Sequence, residues 1–211
     1  RKLHFSSKKT MTLAQKLYEG IEIGAEGQTG LITYMRTDSP RISTEAMNEA
    51  RQVIQERFGS EYLPATPNLY KTQKAAQEAH EAIRPTSASR DPESIKQYLE
   101  LDVYRLYQLI WNRFIASQMV PAIFDVTRVD SSPVKTKEKF LFRSTGTVVK
   151  FPGHTIVYME GVDKELFAQK QKGEQEVEDE AERQLPMLNE GETLQLVSLE
   201  GQTVPGVLSK Q

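Results

Sequence analysis

Apolar positions at helical spacing predict four helices in the first 120 residues, at about 11–19, 44–58, 92–99 and 102–119. Residues that favour helix ends flank them: Ser6, Ser7 or Thr10 with Gly20, then Ser43 with Gly59, then Asp91. The last helix has the widest apolar face, from Val103 to Ile115. Trp111 at the edge of that face is assigned to the core rather than to stacking on a nucleic-acid base.

Beyond Pro121 the pattern alternates between apolar and polar positions, which is typical of strands. Strands are predicted at 124–129, 140–149 and 191–199, with a bend or bulge at Gly146 and a short strand or another element at 155–159. The chain is therefore predicted to be α+β, mostly helical over 1–120 and β-rich over 121–200. Residues 163–184 are mostly charged and read as a solvated or disordered acidic insertion. No structural role follows for the tail at 201–211.

A dense set of reactive side chains follows the apolar positions Leu31 and Ile32. If residues 31–38 form a strand, Tyr34, Arg36 and Asp38 share one face of it. Charges buried without partners would be costly, so they need either a ligand or each other. The alternative is an exposed edge strand in which Arg36 and Asp38 pair.

A second candidate segment precedes Pro85. If residues 76–84 are helical, His80 and Arg84 lie one turn apart on the same face. Pro85 disfavours helical geometry at Arg84 and is expected to end the helix there. The alternative is a short polar surface helix with an ordinary exposed histidine.

Composition narrows the classes of protein. The 211 residues suffice for one large domain or two small ones, and 38% hydrophobic with 27% charged residues is typical of a soluble globular protein. The absence of cysteine excludes disulfides and thiolate metal sites. No apolar run approaches the roughly 20 residues that cross a bilayer, so no membrane role is expected. The first residue is not methionine, which is consistent with a start inside a longer protein.

The net charge of −2 argues against a broad basic surface for nucleic acid. The charge is uneven, however. Residues 1–120 carry 16 basic and 14 acidic side chains, whereas residues 121–211 carry 11 and 15. A phosphate-binding function is therefore expected at a local site in the first part of the chain.

The stretch Gly-Leu-Ile-Thr-Tyr-Met-Arg-Thr-Asp-Ser at 30–39 closely resembles the active-site tyrosine motif of bacterial type IA DNA topoisomerases. Three further segments, in the same order as in that family, add to the resemblance: 9–19, 77–85 and 106–119. The resemblance is strong over about 1–130 and weak to about 200, where the acidic insertion departs from many members.

The resemblance implies a piece of a four-domain toroidal enzyme. Residues 1–120 would be its tyrosine-bearing domain, with a winged-helix-like core similar to that of catabolite activator proteins. Residues 121–200 would belong to the β-rich arch on which that domain swings open. The implied partner is single-stranded or negatively supercoiled DNA, with no small-molecule cofactor, and the implied location is the cytoplasm, in association with the nucleoid.

The resemblance also implies the chemistry. Tyr34 would attack a DNA phosphodiester to form a transient 5′-phosphotyrosine, which permits ATP-independent relaxation of supercoils. A phenol whose pKa is about 10 is a weak nucleophile at neutral pH, so a nearby positive charge is needed. Arg36 is expected to hold the phosphate. His80, Arg84 and Asp38 are expected to be further phosphate or DNA contacts, and Asp38 is expected to orient Arg36.

The resemblance implies that Mg²⁺ is held by an acidic cluster in a separate Toprim domain. The Asp-x-Asp-x-Glu pattern expected of that cluster does not occur in a suitable place in this sequence. The chain is therefore expected to bind no metal, to carry half of an active site, and by itself neither to relax nor to cleave DNA well. Three alternatives stay open: a non-catalytic winged-helix DNA-binding module, a structural or protein-interaction domain, and the tyrosine domain of a topoisomerase III or reverse gyrase.

Overall fold

The computed structural model describes residues 2–70, 80–134, 141–159, 185 and 188–195. Four helices and two antiparallel hairpins make up its regular structure, so the fold is α+β as expected. In chain order they are α1 (Ser7–Glu19), β1 (Ile21–Glu22), β2 (Gln28–Thr29), α2 (Thr44–Arg57), α3 (Pro92–Ile95), α4 (Leu101–Ser117), β3 (Ile123–Ser131) and β4 (Phe142–Phe151).

Side-chain caps fix the starts of the first two long helices. The Ser6 hydroxyl accepts a hydrogen bond from the Lys9 amide at 3.2 Å, so α1 begins four residues earlier than predicted. Ser43 caps α2 as predicted, accepting from the Ala46 amide at 3.3 Å. Gly59 follows α2 with a φ of +104°, a conformation that residues with a Cβ rarely adopt.

Helix α4 forms the centre of the core and packs against α1 and α2. Tyr107 and Ile115 on it are fully buried, and Trp111 is 4% exposed. The Trp111 indole N–H donates to the Ala88 carbonyl at 2.8 Å, so its polar atom is satisfied in the interior. The assignment of Trp111 to the core is confirmed.

Two predicted elements around the candidate site are wrong. Residues 31–35 form no strand, because Ile32 makes only an isolated antiparallel bridge to Pro85. Residues 80–84 are not helical, because the backbone of this segment bonds to the tyrosine stretch instead: the Thr33 amide donates to the Arg84 carbonyl at 2.9 Å. Pro85 has no N–H to extend the ladder and disfavours a helix at Arg84, which explains both results. Residues 71–79 lie outside the described part of the chain.

The second hairpin, β3 and β4, is largely exposed. β3 is longer than the predicted 124–129, whereas β4 has the predicted length but lies two residues later than 140–149. Gly146 pairs in regular register with Thr127, so the bulge predicted at Gly146 is wrong. The irregularity lies between Ile123 and Phe124, opposite the end of β4. There the Phe151 ring centroid lies 4.9 Å from that of Tyr62, so this end of the hairpin contacts the helical part.

The remaining C-terminal predictions are tested only in part. Residues 153–156 form a 3-10 turn, so the segment predicted as a short strand or another element is not a strand but belongs in part to another element. Residues 191–195 follow a turn at Gly191, where φ is +81°, and contain no strand. The acidic insertion at 163–184, positions 196–199 and the tail at 201–211 lie outside the described residues. None of the described helices is both long and apolar enough to cross a bilayer.

Candidate active site

A short hairpin returns the chain to the end of α1 and so positions the tyrosine stretch. After β1 and β2, the Leu31 amide donates to the Leu17 carbonyl at 2.7 Å. Gly30 approaches the helix so closely that a Cβ added to it would lie 2.9 Å from the Tyr18 carbonyl oxygen. Backbone contacts therefore hold the residues that precede Tyr34 against the last turn of α1.

The segment around His80 holds the other side of the tyrosine stretch. The Thr33 hydroxyl donates to the Ala82 carbonyl at 2.7 Å and accepts from the Arg84 amide at 2.9 Å. The Thr86 amide adds a bond to the Leu31 carbonyl at 3.0 Å. These bonds bring His80, which is 46 positions away in sequence, next to Tyr34.

The alternation of side chains predicted for a strand is present although no strand forms. Tyr34, Arg36 and Asp38 are exposed, whereas Met35 and Ser39 are buried. The alternation therefore persists although a bend at Met35 and Arg36 interrupts the stretch. The buried residues anchor the stretch and direct the three reactive side chains outward.

Three aromatic rings lie close together at this surface. The Tyr34 ring lies 5.5 Å from that of Tyr18, edge to face, and 5.8 Å from that of His80. Both tyrosines are 41% exposed. Sequence reasoning missed Tyr18. The sequence shows that Tyr18 follows Leu17 at the end of a predicted helix. Its proximity to Tyr34, however, depends on the hairpin that lies between them.

The charged candidates differ in availability. Arg36 makes no ion pair with any described residue, and in particular none with Asp38, so neither the orienting contact nor the paired edge strand is formed. Arg84 is 12% exposed, and its guanidinium donates to Glu81 at 2.6 Å and to the Pro85 carbonyl at 2.9 Å. Arg36 is thus available to an anion, while Arg84 is already held by the protein.

The comparisons with known proteins identify the family of the chain. A family model described as DNA topoisomerase matches residues 1–208. The chain belongs to this family. Among similar relatives, the DNA topoisomerase 1 of Xylella fastidiosa (strain Temecula1) is 47% identical over 197 residues, which are 93% of this chain and 23% of the relative. The DNA topoisomerase 1 of Rickettsia bellii is 45% identical over 195 residues, 92% of this chain and 22% of the relative.

A solved structure supports the same assignment. The full-length topoisomerase I of Thermotoga maritima matches 75% of this chain at 43% identity with a TM-score of 0.64, and the match covers 24% of that structure. This topoisomerase chain therefore spans less than a quarter of the length of the relatives it matches.

No metal site is evident in the described part of this topoisomerase chain. Residues 2–70, 80–134 and 141–159 contain no group of three or more metal-ligating side chains close enough to hold an ion. Asp38 and Glu81 near the tyrosine stretch belong to no such group. The residues present do not fit a Mg²⁺ site, so no chemical step is assigned to a metal here.

Proposed function

We propose that this chain carries the tyrosine half of the strand-cleaving site of a DNA topoisomerase. The observation that carries the proposal is the exposed Tyr34 side chain, whose ring lies 5.5 Å from that of Tyr18 and 5.8 Å from that of His80, with the exposed Arg36 two residues away in sequence. A nucleophile, a cation with no described partner and a hydrogen-bonding imidazole at one surface are the groups needed to bind and attack a phosphodiester.

The proposed step exchanges one phosphodiester for another. The Tyr34 phenolic oxygen attacks a phosphorus of single-stranded DNA, a new phosphorus–oxygen bond forms, and the bond to the 3′ oxygen breaks. The phenolic proton leaves and the departing 3′ oxygen gains one, so the strand ends as a 5′-phosphotyrosine and a 3′-hydroxyl. Because the bond type is conserved, reversal rejoins the strand without ATP, which permits relaxation of negative supercoils in the full-length protein.

The neighbouring side chains have proposed roles in binding and charge stabilisation. Arg36 would hold the attacked phosphate, since a guanidinium donates to two phosphate oxygens at once. His80 would donate a hydrogen bond to the phosphate from its place beside the Tyr34 ring. Asp38, exposed at the same surface, and Arg84 remain proposed DNA contacts, and Arg84 would act only after exchanging its bond to Glu81.

The wider architecture is proposed on the family relationship. The helical part would be a winged-helix-like tyrosine domain, and the hairpin of β3 and β4 would belong to a β-rich arch. Mg²⁺ would be bound in another part of the full-length protein, because the described residues offer no ligand set. A DNA substrate would place the protein in the cytoplasm with the nucleoid.

The decisive experiment maps a covalent adduct. The full-length protein is incubated with a labelled single-stranded oligonucleotide, denatured, digested and analysed by mass spectrometry. A DNA adduct on Tyr34 is expected in the wild type and none in Tyr34→Phe, which keeps the ring and removes the nucleophile. An oligonucleotide that binds with steep salt dependence but never forms an adduct would instead indicate a non-catalytic DNA-binding module.

A second variant tests His80. His80→Ala is expected to lower either the rate of adduct formation or the affinity for the oligonucleotide. Cleavage at the normal rate together with normal affinity would remove His80 from the site.

A further inference from the structure

Tyr18 has no assigned role, although its ring is the closest aromatic neighbour of Tyr34 along α1. The two ring centroids are 5.5 Å apart with an interplanar angle of 68°, an edge-to-face arrangement that aromatic pairs prefer. The His80 ring lies 5.8 Å from the Tyr34 ring. Tyr34 therefore has two aromatic neighbours, one from α1 and one from the segment around His80.

The backbone fixes the Tyr18 side of this arrangement. The hydrogen bond from the Leu31 amide to the Leu17 carbonyl, at 2.7 Å, joins the tyrosine stretch to the turn of α1 that carries Tyr18. Leu17 and Leu31 are both fully buried, so this junction is part of the core. The distance between the Tyr18 and Tyr34 rings then depends mainly on side-chain rotation.

The exposure of Tyr18 argues against a purely structural role. The side chain is 41% exposed, so shortening it opens no closed cavity. Its hydroxyl makes no hydrogen bond with any residue in the described part of the chain. The ring, rather than the hydroxyl or the filling of the core, is the part of Tyr18 in contact with the nucleophile.

We propose that Tyr18 is a positioning residue for the reaction at Tyr34. Its ring limits the rotamers of the exposed Tyr34 side chain and holds the phenolic oxygen where Arg36 can present a phosphate. An exposed tyrosine without this neighbour would divide its time among several staggered rotamers, only some of which aim at the phosphate. This inference rests on the proposed function, since it assigns Tyr18 to that same site.

The expected loss of rate follows from the interaction energy of an edge-to-face aromatic pair. Without that energy Tyr34 would populate other rotamers, and the rate should fall between about twofold and tenfold. Tyr18→Leu in the full-length protein should lower the rate of adduct formation at saturating oligonucleotide by that factor. The dissociation constant for the oligonucleotide should change less than the rate, because positioning acts on the nucleophile rather than on DNA binding.

Two further variants make the test specific. Tyr18→Phe keeps the ring and should cleave at the wild-type rate. Tyr70→Leu removes a tyrosine of similar exposure, 46%, whose hydroxyl donates to the Ser117 carbonyl at the end of α4, and should also leave the rate unchanged. Thermal unfolding of each variant separates a loss of folded protein from a loss of rate.

The outcomes distinguish the inference from the function on which it rests. An unchanged rate in Tyr18→Leu, or equal losses in Tyr18→Leu and Tyr18→Phe, would overturn the positioning role while the Tyr34 adduct in the wild type still stood. A loss confined to oligonucleotide affinity would also overturn it and would point to base stacking on Tyr18 instead. Absence of any Tyr34 adduct in the wild type would overturn the proposed function itself.

Discussion

The Thr33 hydroxyl joins the two segments that make up the candidate site, so its removal is the most direct test of how the site is held together. It donates to the Ala82 carbonyl at 2.7 Å and accepts from the Arg84 amide at 2.9 Å. Thr33→Val keeps the shape and branching of the side chain but eliminates both bonds. The variant therefore tests the hydrogen bonds without opening a cavity.

The expected loss in the free energy of unfolding depends on how deeply these groups are buried. A net hydrogen bond contributes about 1 kcal/mol, and a buried group left without a partner costs about 1–3 kcal/mol. Thr33, Ala82 and Arg84 are half-buried, so water replaces part of the lost bonding. Thr33→Val is expected to lower the free energy of unfolding by about 2 kcal/mol, which corresponds to a fall in Tm of about 4–8 °C for a chain of this size.

Thermal and urea denaturation of the 211-residue chain, followed by circular dichroism, measure this effect. Thr33→Ser retains the hydroxyl and is the matched control, expected to lose less than half as much as Thr33→Val. A stability of Thr33→Val within about 0.5 kcal/mol of wild type, or a Thr33→Ser variant as unstable as Thr33→Val, would refute the reasoning.

Four other predictions concern the core, the site and the activity. Gly30→Ala should destabilise the chain by about 1–3 kcal/mol, because its Cβ would lie 2.9 Å from the Tyr18 carbonyl. Trp111→Phe should cost about 2–3 kcal/mol through the lost bond to the Ala88 carbonyl and the lost volume. Glu49→Gln should destabilise at pH 7 and converge with wild type as the pH falls below about 4.5. The isolated chain should not relax supercoiled plasmid in Mg²⁺.

The prediction for Glu49 depends on the sign of its pKa shift. Burial raises the pKa of this carboxyl, but hydrogen bonds from the Ser87 hydroxyl and the Ala88 and Ser89 amides outweigh burial and hold the pKa below the ordinary 4.5. A group with a lowered folded pKa stabilises the protein above its unfolded pKa and loses that contribution as the pH falls through the folded value. The acid limb of the stability curve should therefore be flatter in Glu49→Gln.

Each of these predictions has a contradicting result. Unchanged urea midpoints for Gly30→Ala or Trp111→Phe would mean that neither contact constrains the fold. A constant difference between Glu49→Gln and wild type from pH 7 to pH 3 would exclude the carboxylate as the cause. Robust plasmid relaxation by the 211-residue chain would show that it holds a complete active site.

Helices α1 and α2 were predictable because they carry their own start and end signals. Ser43 and Gly59 mark the ends of α2 through local hydrogen bonding and backbone freedom, which depend on neighbours only a few residues away. The apolar face of α4 likewise follows from spacing within one helix. Tyr34 and Arg36 were singled out because a resemblance over ten consecutive residues is itself local information.

The tertiary structure alone decided how the site is assembled. The sequence predicted a strand at 31–35 and a helix through His80 and Arg84, and both were wrong because the two segments satisfy each other's backbone groups across 51 positions. The same long-range pairing sets His80 beside Tyr34 and leaves Arg84 bound to Glu81. Tyr18 could not be recognised beforehand, because a hairpin and a glycine in contact with the end of α1 determine which ring meets the nucleophile.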